Sequence, residues 1–340
     1  MDRTQISKTI TTSEEGMSKE FKELVLSLPC AKFWNGVLHK YEGHWIPSMS
    51  LKGMISFRKH FKVHDSDIIL STFPKSGTTW LKALIFTILN RSHYASNSAT
   101  HPLLTCNPHH LVPFLELKIY DENENPNLEN LPNPRVFATH LPFSLLPRCI
   151  LDSNCRIVYI CRNPMDQLIS RWFFATNIRP EYKETSSIHE LVEMFQEGIC
   201  PYGPFWDHVL EYWNKSLEKK DRILFLKYED LKEDIISQTI KLADFLGLPF
   251  SEEEKKRGEI EEISRLCSIE NLKKLEVNMS GEYKPGVQNK AFFRKGEVGD
   301  WANYLSSAMA EKMKKVVEEK LQGSGITFKM TSQVKGDCQD

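Results

Sequence analysis

A seven-residue turn carries the residue types best suited to chemistry in this chain: one lysine, one glycine and three hydroxyl side chains. It spans residues 74–80, with the sequence PKSGTTW. The segment 67–73 before it is short, apolar and rich in β-branched residues, which indicates a buried strand; 81–90 after it has the apolar content of a core-facing helix. A strand that enters a helix in this way directs unpaired backbone N–H groups and the positive end of the helix dipole at one spot. Lys75 adds a full charge beside that spot, so the sequence predicts an anion site.

The turn differs from the phosphate-binding loop of nucleoside triphosphatases. That loop has the pattern G-x-x-x-x-G-K-[ST], in which the lysine directly follows the second glycine. Here Lys75 precedes Gly77 by two positions, and no glycine opens the turn. An ordinary turn at the start of a helix is therefore the alternative to an anion cradle.

Three further candidate side chains lie at the ends of apolar segments that have the pattern of strands. They are His140, Arg162 and Tyr228, at the ends of 135–140, 155–161 and 222–228. In open sheets of parallel strands, ligands bind at the carboxyl ends of the strands. Together with Lys75, these residues would place four chemically useful side chains along one edge of a sheet.

His140 and Arg162 each suit a particular task. An imidazole titrates near neutral pH and can take a proton from a hydroxyl as its oxygen attacks. A guanidinium fork, joined by a hydroxyl such as that of Ser170, suits a phosphate dianion. The alternatives are a structural histidine that caps a strand, and a weak surface ion pair between Arg162 and Asp166.

Helical segments alternate with these strands. They are 20–28, 164–177, 203–218, 234–248 and 308–321, with a charged segment at 252–262 that we expect to be a solvated helix face. This alternation predicts an α/β fold with a central, mainly parallel sheet flanked by helices. We see no repeat and no second domain boundary, so we expect a mobile tail over 1–20, a single domain over 21–328 and a C-terminal tail over 329–340.

Composition excludes several classes of protein. The 340 residues are 41% hydrophobic and 26% charged, which is ordinary for a globular protein with a sizeable core, and a formal net charge of -1 argues against general nucleic-acid binding. Eight cysteines without a C-x-x-C pair argue against a zinc site and fit reduced thiols. The chain has no run of 18 apolar residues and no apolar stretch of signal-peptide length in 1–20, so we expect a cytoplasmic protein with no membrane segment. We expect His101, His109 and His110, in or beside loops, to be solvated and without a catalytic role.

The turn at 74–80 resembles the signature of the cytosolic sulfotransferase family. The resemblance extends over about 45–325 in the family's motif order, and segments 107–109 and 111–116 resemble the plant branch. It implies a P-loop-like sulfotransferase fold that binds 3′-phosphoadenosine 5′-phosphosulfate (PAPS). It also implies that the turn holds the 5′-phosphosulfate, through Lys75, Ser76, Gly77, Thr78 and Thr79.

The other candidate residues fall in motifs that the resemblance also covers. His140, in Thr-His-Leu-Pro, resembles the family's catalytic base, and Lys75 would neutralise charge on the leaving group. Arg162 and Ser170 would hold the nucleotide 3′-phosphate. The segment 292–301 resembles the family's C-terminal nucleotide-binding segment, with cofactor contacts from Arg294, Lys295 and Gly296. Trp80 and Tyr228 match positions that contact the adenine.

The chain departs from the family pattern at three places. Ala138 stands where many animal members have a lysine, and Cys267-Ser268 stand where the family usually has Thr-Ser. The family's dimer motif, K-x-x-x-T-V-x-x-x-E, keeps only its glutamate, Glu311. We therefore expect a monomer or a weak dimer.

The sequence thus predicts an enzyme that transfers the sulfuryl group of PAPS to a hydroxyl of a small acceptor. By resemblance the acceptor is a flavonoid, a steroid or another plant metabolite, and no metal is required. One alternative is an ATP-dependent small-molecule kinase, which would need Mg²⁺. Another is a non-catalytic nucleotide-binding protein that keeps the anion site.

Overall fold

The computed structural model describes residues 18–34 and 36–330, which form three sheets surrounded by helices. The strands are β1 (Cys30–Phe33), β2 (Gly36–Tyr41), β3 (His44–Pro47), β4 (Ile68–Thr72), β5 (Val136–Thr139), β6 (Arg156–Cys161), β7 (Ile223–Lys227), β8 (Glu282–Lys284) and β9 (Val287–Gln288). Most of the two expected tails, residues 1–17 and 331–340, lies outside the described residues, and the single domain over 21–328 stays a prediction.

The helices lie between and after these strands. They are α1 (Lys19–Ser27), α2 (Ser48–His60), α3 (Thr78–Asn90), α4 (Pro108–Leu111), α5 (Tyr120–Glu122), α6 (Arg148–Asp152), α7 (Pro164–Ile178), α8 (Tyr182–Thr185), α9 (Ile188–Gln196), α10 (Phe205–Glu218), α11 (Tyr228–Glu233), α12 (Ile235–Phe245), α13 (Glu252–Lys256), α14 (Glu259–Leu266), α15 (Ile269–Lys274), α16 (Glu276–Ser280) and α17 (Ser307–Leu321). Across 18–34 and 36–330, none of them has the length and apolar character that a membrane crossing requires.

The central sheet is parallel throughout, in the order β5-β4-β6-β7. Ile69 of β4 pairs with Phe137 of β5 and with Ile157 of β6, and all three side chains are buried. Parallel strands covered on both faces are continuous apolar runs, which is why these segments could be recognised in the sequence. The predicted α/β fold is confirmed, and each of the four strands is one or two residues shorter than its predicted segment.

Two apolar cores cover the two faces of this sheet. Ile69 belongs to one core, which also contains α10 through Phe205 and Tyr212. Leu70, pointing to the opposite face, belongs to the other core together with Leu84 of α3. Because successive strand residues point to opposite faces, both cores hold β4 in place, and with it the turn that follows.

Two regions differ from the sequence predictions. The strands β1 to β3 form an antiparallel sheet that the sequence analysis did not predict. The expected solvated helix over 252–262 is two helices, because Gly258 between them has a φ of +73°. The second of these, α14, buries Ile260 and Ile263, so the expectation of a solvated face is wrong for that half.

Candidate active site

The turn after β4 has the backbone shape of an anion cradle. Lys75 has a φ of +70° and Gly77 a φ of +108°. The first amide of α3 that bonds back is that of Leu81, to the Gly77 carbonyl at 3.0 Å. The amides of residues 78–80 therefore have no partner inside the helix. The Ser76 amide donates to the Phe73 carbonyl, while its hydroxyl oxygen is buried and has no hydrogen-bond partner among the described residues.

A side chain at position 77 would not fit. A Cβ placed on Gly77 would lie 2.8 Å from Cδ2 of Tyr228, the first residue of α11. Both the positive φ and this close approach require glycine. As a result α3 begins at Thr78 rather than at the predicted Leu81, and Thr78, Thr79 and Trp80 form its first turn.

Lys75 is a cation without an anionic partner. Its Nζ lies 4.0 Å from the ring centroid of Phe174, and within 18–34 and 36–330 it has no hydrogen bond or ion pair. Burial, followed by the charges of Arg171, Arg162 and Arg294, lowers the pKa of Lys75 to about 7. Four cations gathered around one point favour the binding of an anion there.

His140 has a defined tautomer. Its Nδ1 lies 2.7 Å from the Thr72 carbonyl oxygen, which can only accept, so Nδ1 carries the proton and Nε2 a lone pair. The His140 amide donates to Oε1 of Glu116 at 2.7 Å, and the ring lies between Phe114 and Tyr202, with centroids 4.6 and 5.4 Å away. Burial lowers the pKa of His140 to about 3, so the imidazole is neutral at ordinary pH.

Arg162 lies at the end of β6 and reaches across to β7. Its guanidinium carbon lies 4.3 Å from the ring centroid of Tyr228, and its Nη2 donates to the Glu297 carbonyl at 2.6 Å. Its Nε is buried without a partner in the described chain. Asp166 accepts from the amides of Gly299 and Trp301 instead of pairing with Arg162 at the surface, so the alternative of a surface ion pair is wrong.

The segment 292–301 closes over the same strand ends. The Tyr228 hydroxyl donates to the Gly296 carbonyl at 2.8 Å. Arg294 and Lys295 both pair with the carboxylate of Asp300, and Lys295 Nζ lies 2.7 Å from its Oδ1. Arg294 nevertheless keeps Nε and Nη2 buried and without a partner among the described residues. Lys295 is 42% exposed, and its hydrogen bond to Asp300 raises its pKa.

The remaining predicted residues are buried around this segment. The rings of Trp80 and Tyr228 meet edge to face with centroids 5.5 Å apart, and no described residue bonds to the buried Nε1 of Trp80. Ser170 is buried on α7. The structure thus brings the predicted residues to one edge of the parallel sheet, in two groups: the turn with His140, and Arg162 with Arg294.

A buried chain of polar groups behind the turn was missed by the sequence analysis. His109 was expected to be solvated, but it is 3% exposed, and its Nε2 lies 2.9 Å from Oγ1 of Thr79. Its Nδ1 lies 3.1 Å from Nζ of Lys82, which is fully buried in α3. His101 is buried as well, so the expectation of a solvated side chain is wrong for both histidines. A lysine inside an otherwise apolar helix was the signal that such a partner existed.

Glu116 was not singled out either. Its side chain is fully buried in a π-helical turn over Leu115–Ile119, and burial raises its pKa to about 7. Its Oε2 has no partner in the described chain, while Oε1 holds the His140 amide. A π-turn often marks a functional site. A glutamate in an apolar sequence was the available signal.

The departure at Cys267 and the serine that follows it have structural roles. Cys267 is fully buried, with Sγ 3.4 Å from Oγ1 of Thr87, and Ser268 caps α15 by accepting from the Asn271 amide at 3.1 Å. The cysteines among the described residues are all free thiols that form no disulfide. Over 18–34 and 36–330, no cluster of histidine, cysteine and carboxylate side chains has the geometry of a metal site.

Comparisons with known proteins decide the family. A family model for a sulfotransferase domain matches residues 65–325. The chain belongs to the sulfotransferase family. Cytosolic sulfotransferase 15 of Arabidopsis thaliana is 46% identical over 321 residues, covering 94% of this chain and 89% of that protein. Cytosolic sulfotransferase 14 of the same plant is 47% identical over 323 residues, covering 94% and 93%.

Solved sulfotransferase structures agree. An Arabidopsis thaliana sulphotransferase provisionally assigned to steroids has 39% identity and a TM-score of 0.73, over 90% of this chain and 94% of that one. Mouse sulfotransferase SULT7A1 complexed with PAP has 26% identity and a TM-score of 0.64, over 85% and 95%. The predictions of a PAPS-dependent sulfotransferase and of its fold are confirmed, and the relatives are plant cytosolic sulfotransferases.

Proposed function

We propose that this sulfotransferase moves the sulfuryl group of PAPS to a hydroxyl of a small organic acceptor, with His140 as general base. The observation that carries the proposal is the tautomer of His140. Its Nδ1 is committed to the Thr72 carbonyl, so Nε2 has the lone pair that a base needs. The low pKa leaves Nε2 unprotonated before ligands bind, and the negative charge of the bound donor raises its affinity for a proton.

The 5′ end of the donor binds at the turn. The amides of Thr78 to Trp80, which lack helical partners, and the buried hydroxyl of Ser76 donate to the phosphosulfate oxygens. Gly77 lets the backbone approach, Thr78 and Thr79 add hydroxyls, and Lys75 supplies the charge. This arrangement is supported because the hydroxyl of Ser76 and the Nζ of Lys75 have no competing hydrogen-bond partner in the described chain.

The 3′ end of the donor binds about the ends of β6 and β7. Arg162, Ser170 and Arg294 hold the 3′-phosphate, joined by Lys295 and by the backbone at Gly296. The buried, unpartnered nitrogens of Arg162 and Arg294 support this, because such groups are costly unless a ligand satisfies them. The aromatic side chains of Trp80 and Tyr228 contact the adenine.

The reaction is an in-line displacement at sulfur. The acceptor hydroxyl gives its proton to Nε2 of His140 while its oxygen forms a bond to sulfur. On the opposite side the bond from sulfur to the bridging oxygen breaks, and its electron pair leaves with the 5′-phosphate of 3′-phosphoadenosine 5′-phosphate (PAP). Lys75 stabilises the charge that develops on this oxygen.

We propose that no metal ion takes part. A transferring sulfuryl group carries less negative charge than a phosphoryl group, so the metal that phosphoryl transfer uses is not demanded. The cations around Lys75 supply the neutralisation. A kinase would have no use for a second cationic site at Arg162 and Arg294. A protein that only binds nucleotide would have no use for the fixed tautomer of His140.

The acceptor is a hydroxylated small molecule such as a flavonoid or a steroid. Support comes from the solved plant relative provisionally assigned to steroids. The names of the relatives support a cytoplasmic location. We also propose a monomer or weak dimer without nucleic-acid or membrane partners, since Ser306, in the degenerate dimer motif, serves as the cap of α17.

The test is an assay with ³⁵S-labelled PAPS and a panel of phenols, flavonols and steroids, with and without a chelator. Transfer of label that the chelator does not reduce is the expected result. Absence of transfer to any acceptor, together with ATP-dependent phosphorylation of the same panel, would show that the enzyme is a kinase. Binding of PAP without any transfer would support the non-catalytic alternative.

A further inference from the structure

Arg171 on α7 adds positive charge near Lys75, but no contact with the donor has been assigned to it. Within the residues the structure describes, its guanidinium makes no hydrogen bond and no ion pair, and its Nε is buried. Its guanidinium carbon lies 5.9 Å from the ring centroid of Trp34. Arg162 and Arg294, by comparison, bond to the Glu297 carbonyl and to Asp300. A half-buried guanidinium with a buried, unpaired Nε is available to a ligand that can satisfy it.

Arg171 lies on a different face of α7 from Asp166, which holds the segment that closes the 3′ site. Asp166 bonds to the amides of Gly299 and Trp301, so its face of α7 looks toward that segment. Gln167 and Arg171, four residues apart, share the neighbouring face. Gln167 donates to the Pro74 carbonyl at 2.7 Å, so this face looks toward the turn and His140.

Arg171 has around it the kind of lining, but not the volume, of a small-molecule pocket. It lines a small cavity, with room for about one water molecule, between the turn and the loop after α9. Phe33, Phe73, Pro74, Cys200 and Pro201 also line this cavity. Apolar walls with one convergent charge are typical of a small-molecule site.

Arg171 also lies near the reacting groups. Its charge contributes to the lowered pKa of both Lys75 and His140. Tyr202, whose ring centroid is 5.4 Å from that of His140, is close enough to act on the pKa of Arg171 in turn. The cavity that Arg171 lines also touches Pro74, next to Lys75, and Pro201, next to Tyr202, so an acceptor at His140 has Arg171 within its reach.

We propose that Arg171 binds a carboxylate of the acceptor, so that the preferred acceptors are hydroxy acids rather than neutral alcohols. This inference rests on the proposed function and names its substrate class. A guanidinium matches a carboxylate with two parallel hydrogen bonds, and in a partly desolvated site such a pair is strong. A neutral ester leaves the half-buried guanidinium unpaired, so the site discriminates against it.

The experiment uses a matched series of phenols. The acids are 4-hydroxyphenylacetate, 3-(4-hydroxyphenyl)propanoate and 4-(4-hydroxyphenyl)butanoate, each paired with its methyl ester. For the best length we expect kcat/KM to be at least about tenfold higher for the acid than for its ester. In Arg171→Gln this ratio should fall to about one, and in Arg171→Lys to an intermediate value.

Two further measurements separate the explanations. The affinity for PAP in Arg171→Gln should fall by much less than the acid-to-ester ratio, since Arg171 adds only charge near Lys75 while other residues contact the two phosphates. A charge reversal, Arg171→Glu, should shift preference toward tyramine, a phenol of similar length that carries an ammonium group. If a variant fails to fold, the acid-to-ester ratio of the unchanged enzyme still decides.

The proposal is overturned if acid and ester react equally in the unchanged enzyme at every length. It is also overturned if Arg171→Gln weakens PAP binding and leaves the acid-to-ester ratio as it was, since Arg171 would then belong to the donor site. In both cases label still passes from PAPS to phenols, so the proposed function stands. Failure of transfer to acids and esters alike would refute the inference about Arg171, and failure with the flavonols and steroids as well would refute the proposed function.

Discussion

At the level of single residues, the chemistry depends on two groups whose pKa values burial lowers. His140 stays neutral because the surrounding protein disfavours its charged form, and the Thr72 carbonyl fixes its tautomer. Lys75 is drawn toward neutrality by burial and by the arginines around it. Both effects prepare the site: one gives a base that is ready at neutral pH, the other a cation that needs an anion.

Replacing the base separates catalysis from binding. We expect His140→Ala to lower kcat by about 10²–10⁴-fold, the usual contribution of general-base catalysis, with the affinity for PAP unchanged. Steady-state kinetics and calorimetry measure the two quantities. His64→Ala, which alters a half-buried histidine paired with Glu129 on the surface, is the matched control. An equal loss of turnover and of PAP affinity would refute the role of His140 as base.

Binding of PAP should take up a proton at pH 8. Lys75 has a pKa of about 7 without ligand, so at pH 8 its amine is mostly neutral, and a bound phosphate favours the ammonium form. Calorimetric titrations in two buffers of different ionisation enthalpy measure this uptake. In Lys75→Met the uptake should be lost. If the unchanged protein takes up no proton, or Lys75→Met takes up as many, the account of Lys75 is wrong.

At the level of elements, the turn directs the N-terminus of α3 toward the donor. Gly77 makes the sharp change of direction possible, and β4, buried on both sides, holds the turn in place. Behind α3, the Lys82–His109–Thr79 chain orients a hydroxyl at the first turn of the helix. If Lys82 donates to Nδ1 of His109, then Nε2–H donates to Thr79, whose own proton points to the ligand.

Gly77→Ala should weaken PAP binding by at least about tenfold and lower Tm. Both a positive φ, costing about 1–2 kcal/mol, and the contact with Tyr228 oppose the new methyl group. Gly43→Ala is the control, since Gly43 has a φ of +89° with no atom within 4 Å of its Cβ position. It carries the strain without the contact, and PAP affinity should not change. Equal PAP affinities in the two variants would show that the contact with Tyr228 has no role.

The buried chain behind the turn predicts a coupling between two substitutions. His109→Leu leaves Nζ of Lys82 and Oγ1 of Thr79 unpaired, which should cost about 1–3 kcal/mol of unfolding free energy. Adding Lys82→Met removes one of these orphaned groups, so the double variant should recover part of the loss. Denaturant titrations measure the three values. Strict additivity of the two single losses would contradict the proposed chain.

At the level of the whole molecule, the site joins parts of the chain far apart in sequence. The turn, the end of β5, α7, the start of α11 and the segment 292–301 meet at one edge of one parallel sheet. Asp166 ties that last segment to α7, and Tyr228 ties it to the end of β7. A nucleotide with two phosphates would bridge both groups of cations, so donor binding should stabilise the fold.

The sequence allowed prediction of those parts whose pattern is local. Strands β4 to β7 are continuous apolar runs, and the motifs at their ends could be placed because parallel strands end at a common edge. The burial of His109, the unpaired charge of Arg171 and the π-turn at Glu116 were not predicted, although Lys82 and Glu116, each in an apolar segment, signalled that polar partners were needed. Each of them depends on neighbours supplied by distant elements, and a local pattern carries no information about such neighbours.

The measurement that tests the central claim most directly is a crystal structure with PAP bound. We predict that the 5′-phosphate lies against Lys75 and the amides of 78–80, and the 3′-phosphate against Arg162 and Arg294, with Nε2 of His140 facing the 5′ side. A nucleotide bound far from both arginines, or an imidazole of His140 turned into the interior, would contradict the account.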